Sequence, residues 1–354
     1  KALFFYFNIL IVKLISFADA GSDFLFTSFI PEVGYDQALI NFAFRALPVI
    51  IFFSSLIAAT YHLGVIQIII KNIAKVMEKT MKTSGAETLS ISANIFVGQT
   101  EAPILIRPYI SKMTNSELMT VMVGGFSTVA GSVMALYVTW LNNIPEIAGH
   151  LLAASVMSAP AALMVAKIIH PETKSYQIIS SNNINLKSQD NNLVDAIGRG
   201  ATDGLKLAAN VAAMLIAFIS LVAMINFILS LLGTSMQEML GLLFKPLAWT
   251  MGIPWADAKI VGTLMGEKIV LTELIAFRDL SDYVSNNTIS ERSVIIASYA
   301  LCGFANFGSI GIQLGGIGSM APKRKKDLSK LVFKAMLGGA IASWLTASIV
   351  GILI

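Results

Sequence analysis

Long apolar stretches separated by short polar joints run the length of this chain. Gln37 to Ile70, Glu117 to Trp140, Ile144 to Ile169, Leu205 to Leu232 and Leu331 to Ile354 each approach or exceed the roughly 20 apolar residues that a helix needs to cross a bilayer. Two further stretches have the length but are interrupted midway. Residues 86–110 are broken by Gly98-Gln99-Thr100-Glu101 and Pro103, and residues 257–280 by Gly266-Glu267-Lys268 and Thr272-Glu273. Irregular backbone survives at membrane depth only beside protein or water. Each interrupted stretch therefore predicts a re-entrant hairpin, two half-helices meeting at a polar tip. The pattern as a whole predicts an all-α polytopic membrane protein.

Composition agrees and narrows the choice. Of 354 residues, 55% are hydrophobic and only 13% charged, with a mean hydropathy of +0.73, which is outside the range of ordinary soluble domains. Ala2 to Ile15 is apolar but shorter than a perpendicular span, so it reads as an interfacial helix, or as the remnant of a span with further helices before it. One cysteine, Cys302, excludes an intramolecular disulfide and cysteine-based metal clusters. His62, His150 and His170 lack metal-ligand spacing. No organic cofactor and no nucleic-acid partner is expected.

Charge placement supplies topology. Lys71, Lys75, Lys79 and Lys82, then Lys167 and Lys174, then Lys323-Arg324-Lys325-Lys326 fall on one side if the spans alternate, while the joints 141–146 and 281–288 carry no lysine or arginine. Basic loops mark the cytoplasmic side. The first hairpin then enters from the cytoplasm and the second from outside, the arrangement of inverted repeats. Residues 172–196, rich in serine and asparagine, read as a cytoplasmic linker between the halves.

The candidate chemistry lies at the hairpin tips. A carboxylate at bilayer depth costs at least ~2.5 kcal/mol and usually faces a cavity, a partner or a substrate. Glu101 and Glu273 have no basic residue three or four positions away to pair with on one helical face, which points to a bound ligand or proton. Gln99 and Asn306 each combine donor and acceptor, and Phe304 offers a stacking face. Glycine-rich runs, 124–132 and Gly303 to Gly316, allow two readings: close helix packing, or unwound backbone opposite each tip, with carbonyls free for an ion or substrate. These features describe a secondary transporter for a neutral, polyhydroxylated or amide-bearing solute, with a cation or proton as co-substrate. An intramembrane enzyme would need paired aspartates, a nucleophile elbow or a metal-binding helix, and none is visible.

The motifs, in order, are Gly98-Gln99-Thr100-Glu101-Ala102-Pro103 with Ile106-Arg107-Pro108-Tyr109, Val129-Ala130-Gly131-Ser132-Val133, Thr272-Glu273 before Ala276-Phe277, and Cys302-Gly303-Phe304-Ala305-Asn306 with Gly315-Gly316-Ile317-Gly318. Together they resemble the concentrative nucleoside transporter family over about residues 15–350. The resemblance implies a homotrimer in the bacterial cytoplasmic (inner) membrane, whose protomers have a scaffold domain and a mobile transport domain with two re-entrant hairpins and two unwound helices. It also implies sodium-coupled import of uridine-like nucleosides by an elevator motion, with a proton-coupled carrier as the alternative. It further implies that Gln99, Thr100 and Glu273 contact the base, Glu101, Asn306 and Ser309 the ribose, and Val133 and Phe304 the apolar faces. A sodium site would use Asn94, Val97, Thr128 and Val129. Thr272 stands where the family pattern has Asn, and Thr128 where it has Ser; the second change keeps the hydroxyl.

The expected organisation is an N-terminal interfacial region over 1–34 and a long scaffold helix over 35–83. A first hairpin with two spans follows over 84–171, then the linker 172–196. A scaffold span with an interfacial helix occupies 197–254, and a second hairpin, a broken span and a final span occupy 255–354.

Overall fold

A computed structural model describes residues 2–26, 44, 47–173, 184, 186 and 190–354. Its helices are α1 (Ala2–Phe26), α2 (Leu47–His62), α3 (Val65–Met81), α4 (Gly85–Asn94), α5 (Arg107–Ile110), α6 (Asn115–Ser127), α7 (Gly131–Trp140), α8 (Ile147–Ile169), α9 (Leu193–Ser230), α10 (Met236–Thr250), α11 (Ala258–Val270), α12 (Glu273–Ser285), α13 (Glu291–Leu301), α14 (Phe307–Met320) and α15 (Lys325–Leu353). No strand occurs among the described residues. Asn115–Trp140, Ile147–Ile169 and Pro322–Leu353 are long and apolar enough to cross a membrane.

The chain divides into two compact units. The first comprises Lys1–Val65, Gly131–Gly149 and Lys187–Phe227. Within it, α2 packs on α1 and α7, and α9 approaches α2 through small residues. A Cβ at Gly200 would lie 2.8 Å from the Ser54 carbonyl oxygen, and one at Gly204 2.8 Å from the Ile51 Cα. Apolar helices gain nothing by hiding from lipid, so close backbone packing of this kind holds them together.

The second unit comprises Ile66–Ala130, His150–Leu186 and Ile228–Ile354. Here α6 packs on α15, α10 on α11, and α13 on α15. Gly338 of α15 would bring a Cβ within 3.1 Å of Val123, and Gly339 faces the Phe126 backbone. Met77, Ile91, Ile95, Ala159 and Leu163 form an apolar cluster beneath α4. Polar anchors set the helix ends. Thr114 and Glu117 form a capping box at the start of α6. Glu87, fully buried at the start of α4, receives the Ser84 N–H and pairs with Lys167 of α8 at 2.8 Å. Lys167 thus serves as an ion-pair partner inside the fold as well as a basic marker in the sequence.

Several sequence expectations are revised. The stretch expected as one long helix over 35–83 is, over its described residues, two helices. They part at Leu63-Gly64, because Gly64 takes a left-handed φ of +83° that a continuing helix does not allow. Residues 27–43, 45 and 46 lie outside the described ones, and so does part of the apolar stretch Gln37–Ile70. Lys71, Lys75 and Lys79 lie on helix α3, not in a loop. The opposite face of α3 buries Ile66, Ile70, Ala74 and Met77, the pattern of a helix lying along a surface. The N-terminal apolar run continues as a helix through Phe26. The last residues of the expected linker open α9, with the Asp195 N–H donating to the Asn192 side chain. Residues 174–183, 185 and 187–189 are outside the described ones.

Candidate functional site

Both interrupted stretches fold as helix–break–helix. In the first, α4 ends at Asn94 and the chain turns through residues 95–101, where the Glu101 N–H donates to the Gly98 carbonyl at 3.0 Å. A 3-10 turn, Ala102–Ile106, then starts with Pro103 in its first turn, where a missing N–H is harmless. In the second, α11 stops at Val270 and α12 starts at Glu273. Thr272 caps α12, its hydroxyl accepting the Leu274 N–H at 3.3 Å. A short hydroxyl therefore does the capping where the family pattern has an amide.

The glycine-rich runs break at narrower places than expected. Gly124 and Gly125 are helical, and α6 ends only at Ser127, after which Thr128 is extended at φ −122° and ψ 165°. The hydroxyls of Ser127 and Thr128 both return to the Gly124 carbonyl at 3.1 Å. The second break covers residues 302–306, between α13 and α14. Gly308, Gly311, Gly315 and Gly316 lie within helix α14, so of these glycines Gly303 alone makes the break, with φ +116°. A Cβ there would meet the Phe126 carbonyl oxygen at 2.7 Å and the Ser127 carbonyl oxygen at 2.8 Å. Gly303 lets the two breaks touch. Gly303→Val should therefore destabilise the protein by about 1 to 3 kcal/mol, from combined overpacking and backbone strain, and weaken solute binding with it. A melting temperature and affinity equal to the parent's would show that this contact is dispensable.

The tips and the second break bring most of the expected residues of this unit together. Asn306 caps α14, its Oδ1 accepting the Ser309 N–H at 2.8 Å, while its Nδ2 donates to Glu273 at 2.8 Å. Gln99 Nε2 donates to the Ser309 hydroxyl at 3.1 Å. A polar line thus runs from the first tip (Gln99) through Ser309 and Asn306 to the second tip (Glu273). All four residues are buried. Thr100 sits against Gly316, where a Cβ would lie 2.6 Å from its methyl group. Glu101 is exposed and receives the Gly98 N–H at 3.1 Å. Phe304 is half-buried in the break. Val133 is buried, but belongs to the other compact unit.

For the expected cation site, Asn94 is fully buried and neither side-chain atom has a hydrogen-bond partner. A Cβ at Gly124 would lie 3.6 Å from its Nδ2, so Asn94 faces the same turn of α6 that carries the Thr128 bond. Val97, Thr128 and Val129 are all buried. An unpaired buried amide costs several kcal/mol, and neutral oxygens suit a hard monovalent cation. The donor set fits sodium.

Two further residues belong to this region. Lys268 of α11 is fully buried, and its ammonium donates to the Ala300 carbonyl (2.9 Å), the Cys302 carbonyl (3.2 Å) and the Ser343 hydroxyl (2.8 Å). It satisfies carbonyls that the end of α13 leaves free, and its charge interacts with Glu273. Lys268 lies five residues before Glu273, not the three or four that share a helical face, so sequence spacing gave no sign of this role. Gln313 of α14, fully buried, donates to the Gln99 Oε1 and the Met122 carbonyl, each at 3.1 Å. The available signal was its position four residues after Ser309, on the same face of the helix.

Residues 150–351 match the family model described as the Na+ dependent nucleoside transporter C-terminus, and residues 43–143 match a gate model described as nucleoside recognition. The chain is 42% identical to sodium/nucleoside cotransporter 1 of Rattus norvegicus over 96% of its own length and 54% of that protein's. It thus spans about half the length of the mammalian cotransporters it matches. It is 41% identical to the transporter YutK of Bacillus subtilis, covering 100% of this chain and 87% of YutK. Among solved structures, CNTnw in an inward-facing substrate-bound state superposes with a TM-score of 0.89 at 41% identity, covering 99% of this chain and 85% of CNTnw. A CNTnw variant in an outward-facing state gives 0.89 at 40%, with 99% and 84% covered. Motifs, all-helical fold, family models and relatives agree: this multi-pass membrane protein belongs to the concentrative nucleoside transporter family.

Proposed function

We propose that the protein is a sodium-coupled secondary active symporter that imports uridine-like nucleosides across a bacterial cytoplasmic membrane. The observation that carries this reading is the polar line Gln99–Ser309–Asn306–Glu273, set among apolar helices. It offers amide donors, a hydroxyl and a carboxylate, the complement that a base edge and ribose hydroxyls require. Gln99, Thr100 and Glu273 face the base, Glu101, Asn306 and Ser309 the ribose, and Phe304 an apolar face. Asn94 and Thr128 hold sodium with help from the Val97 and Val129 backbone. The two helix–break–helix segments act as hairpins entering from opposite sides, on a transport domain that moves elevator-fashion against a scaffold within a homotrimer. Relatives solved in inward-facing and outward-facing states support alternating access.

Labelled uridine supplied to proteoliposomes should accumulate only with an inward sodium gradient. Accumulation driven by a proton gradient without sodium would replace this reading with proton coupling. Asn94→Ala should raise the sodium concentration for half-maximal uptake by on the order of tenfold. By linkage it should reduce the sodium enhancement of nucleoside affinity to the same degree. An unchanged sodium dependence would remove Asn94 from the site.

A further inference from the structure

Gln313 lies within a glycine-rich apolar helix, fully buried, and bridges two other elements. Its Nε2 is 3.1 Å from the Met122 carbonyl oxygen of α6 and 3.1 Å from Oε1 of Gln99 at the first tip. A backbone carbonyl only accepts. Gln313 must therefore turn its NH2 group to Met122, since the inverted amide would set two oxygens against each other. The second hydrogen on that nitrogen is directed at Gln99, which must answer with its oxygen. Gln99 is left with its own NH2 on the far side. One of those N–H bonds goes to the Ser309 hydroxyl at 3.1 Å, and the other has no partner among the described residues.

Two details show that this arrangement is specified. The Oε1 of Gln313 is buried without a hydrogen-bond partner, so the amide keeps its orientation through the two bonds of its nitrogen. At Gly125, a Cβ would lie 2.6 Å from Gln313 Nε2 and 3.0 Å from the Gln99 Cβ. Any side chain there would wedge between the two amides, and glycine lets them meet.

We propose that Gln313 is a positioning residue that locks Gln99 with an N–H, not its carbonyl, toward the solute, so that the site selects nucleobases presenting a carbonyl oxygen at that edge over bases presenting an exocyclic amine. The proposal rests on the nucleoside-carrying role above. Uridine and cytidine differ in this respect at one ring position, a carbonyl against an amine.

Isothermal titration of the intact protein at saturating sodium provides the test. The parent should favour uridine over cytidine by about tenfold, the scale of one matched hydrogen bond against one mismatched. Gln313→Met removes the orienting donor and should bring the two nucleosides to within about threefold of each other. Gln313→Glu presents an acceptor to Gln99, turns its amide over and should invert the preference. Retained cytidine binding shows that each variant is folded. A merely structural role would weaken both nucleosides alike, and an unchanged ratio in either binding-competent variant overturns the proposal. A parent that favours cytidine also overturns it, without recourse to any variant. A parent that binds neither nucleoside overturns the underlying transport reading, a failure distinct from the others.

Discussion

Lys268→Met should lower nucleoside affinity by on the order of a hundredfold while reducing global stability only modestly. The two effects differ because the lysine has opposing roles. Removing a buried ammonium relieves a desolvation penalty of several kcal/mol. It also leaves the Ala300 and Cys302 carbonyls and the Ser343 hydroxyl without their donor, at about 1 to 3 kcal/mol each. These terms largely offset each other in the overall folding equilibrium. They do not offset at the break between α13 and α14, which loses the anchor that holds its carbonyls, or at Glu273, which loses a nearby positive charge. Titration calorimetry with uridine, beside a thermal melt, separates the two. Unchanged affinity with a lowered melting temperature would reduce Lys268 to a structural role. Lys268→Arg should not restore binding, because the site is fully closed around the existing ammonium and a guanidinium is larger and planar.

Glu273→Gln should weaken nucleoside binding by tenfold to a hundredfold. The carboxylate opens α12, accepts the Asn306 amide at 2.8 Å and lies at one end of the polar line. Hydrogen bonds to a charged acceptor contribute roughly 1.5 to 3 kcal/mol, and 1.4 kcal/mol is one decade of affinity. The glutamine keeps the shape but loses the charge. The structure ties Glu273 to Asn306, so the effects of Glu273→Gln and Asn306→Ala should not add. Additive losses in the double variant would mean that the two residues act separately on the solute.

The all-helical, polytopic class was legible in the sequence because spans longer than a bilayer and polar interruptions within them are one-dimensional properties. An apolar stretch must bury its backbone hydrogen bonds wherever it lies in lipid. The same logic made Gln99, Glu101, Glu273 and Asn306 visible as groups too polar for their surroundings. Glycine content, by contrast, was a poor guide to where helices unwind. Gly124 and Gly316 stay helical, because what they accommodate is a neighbour: Ile91 at Gly124 and Thr100 at Gly316. Gly303 unwinds its helix because the carbonyls of Phe126 and Ser127 leave room for nothing larger.

What the sequence by itself determined was therefore the membrane class, the two polar tips and most of the residues that face one another there, since each follows from the cost of a polar group in an apolar segment. What only the tertiary structure decided was who satisfies whom. Lys268 turned out to hold backbone carbonyls 32 and 34 residues away, and Gln313 an amide 214 residues away. Such pairings leave no periodic trace, because hydrogen-bond partners across elements are chosen by distance in space, and helical spacing encodes only neighbours on one face.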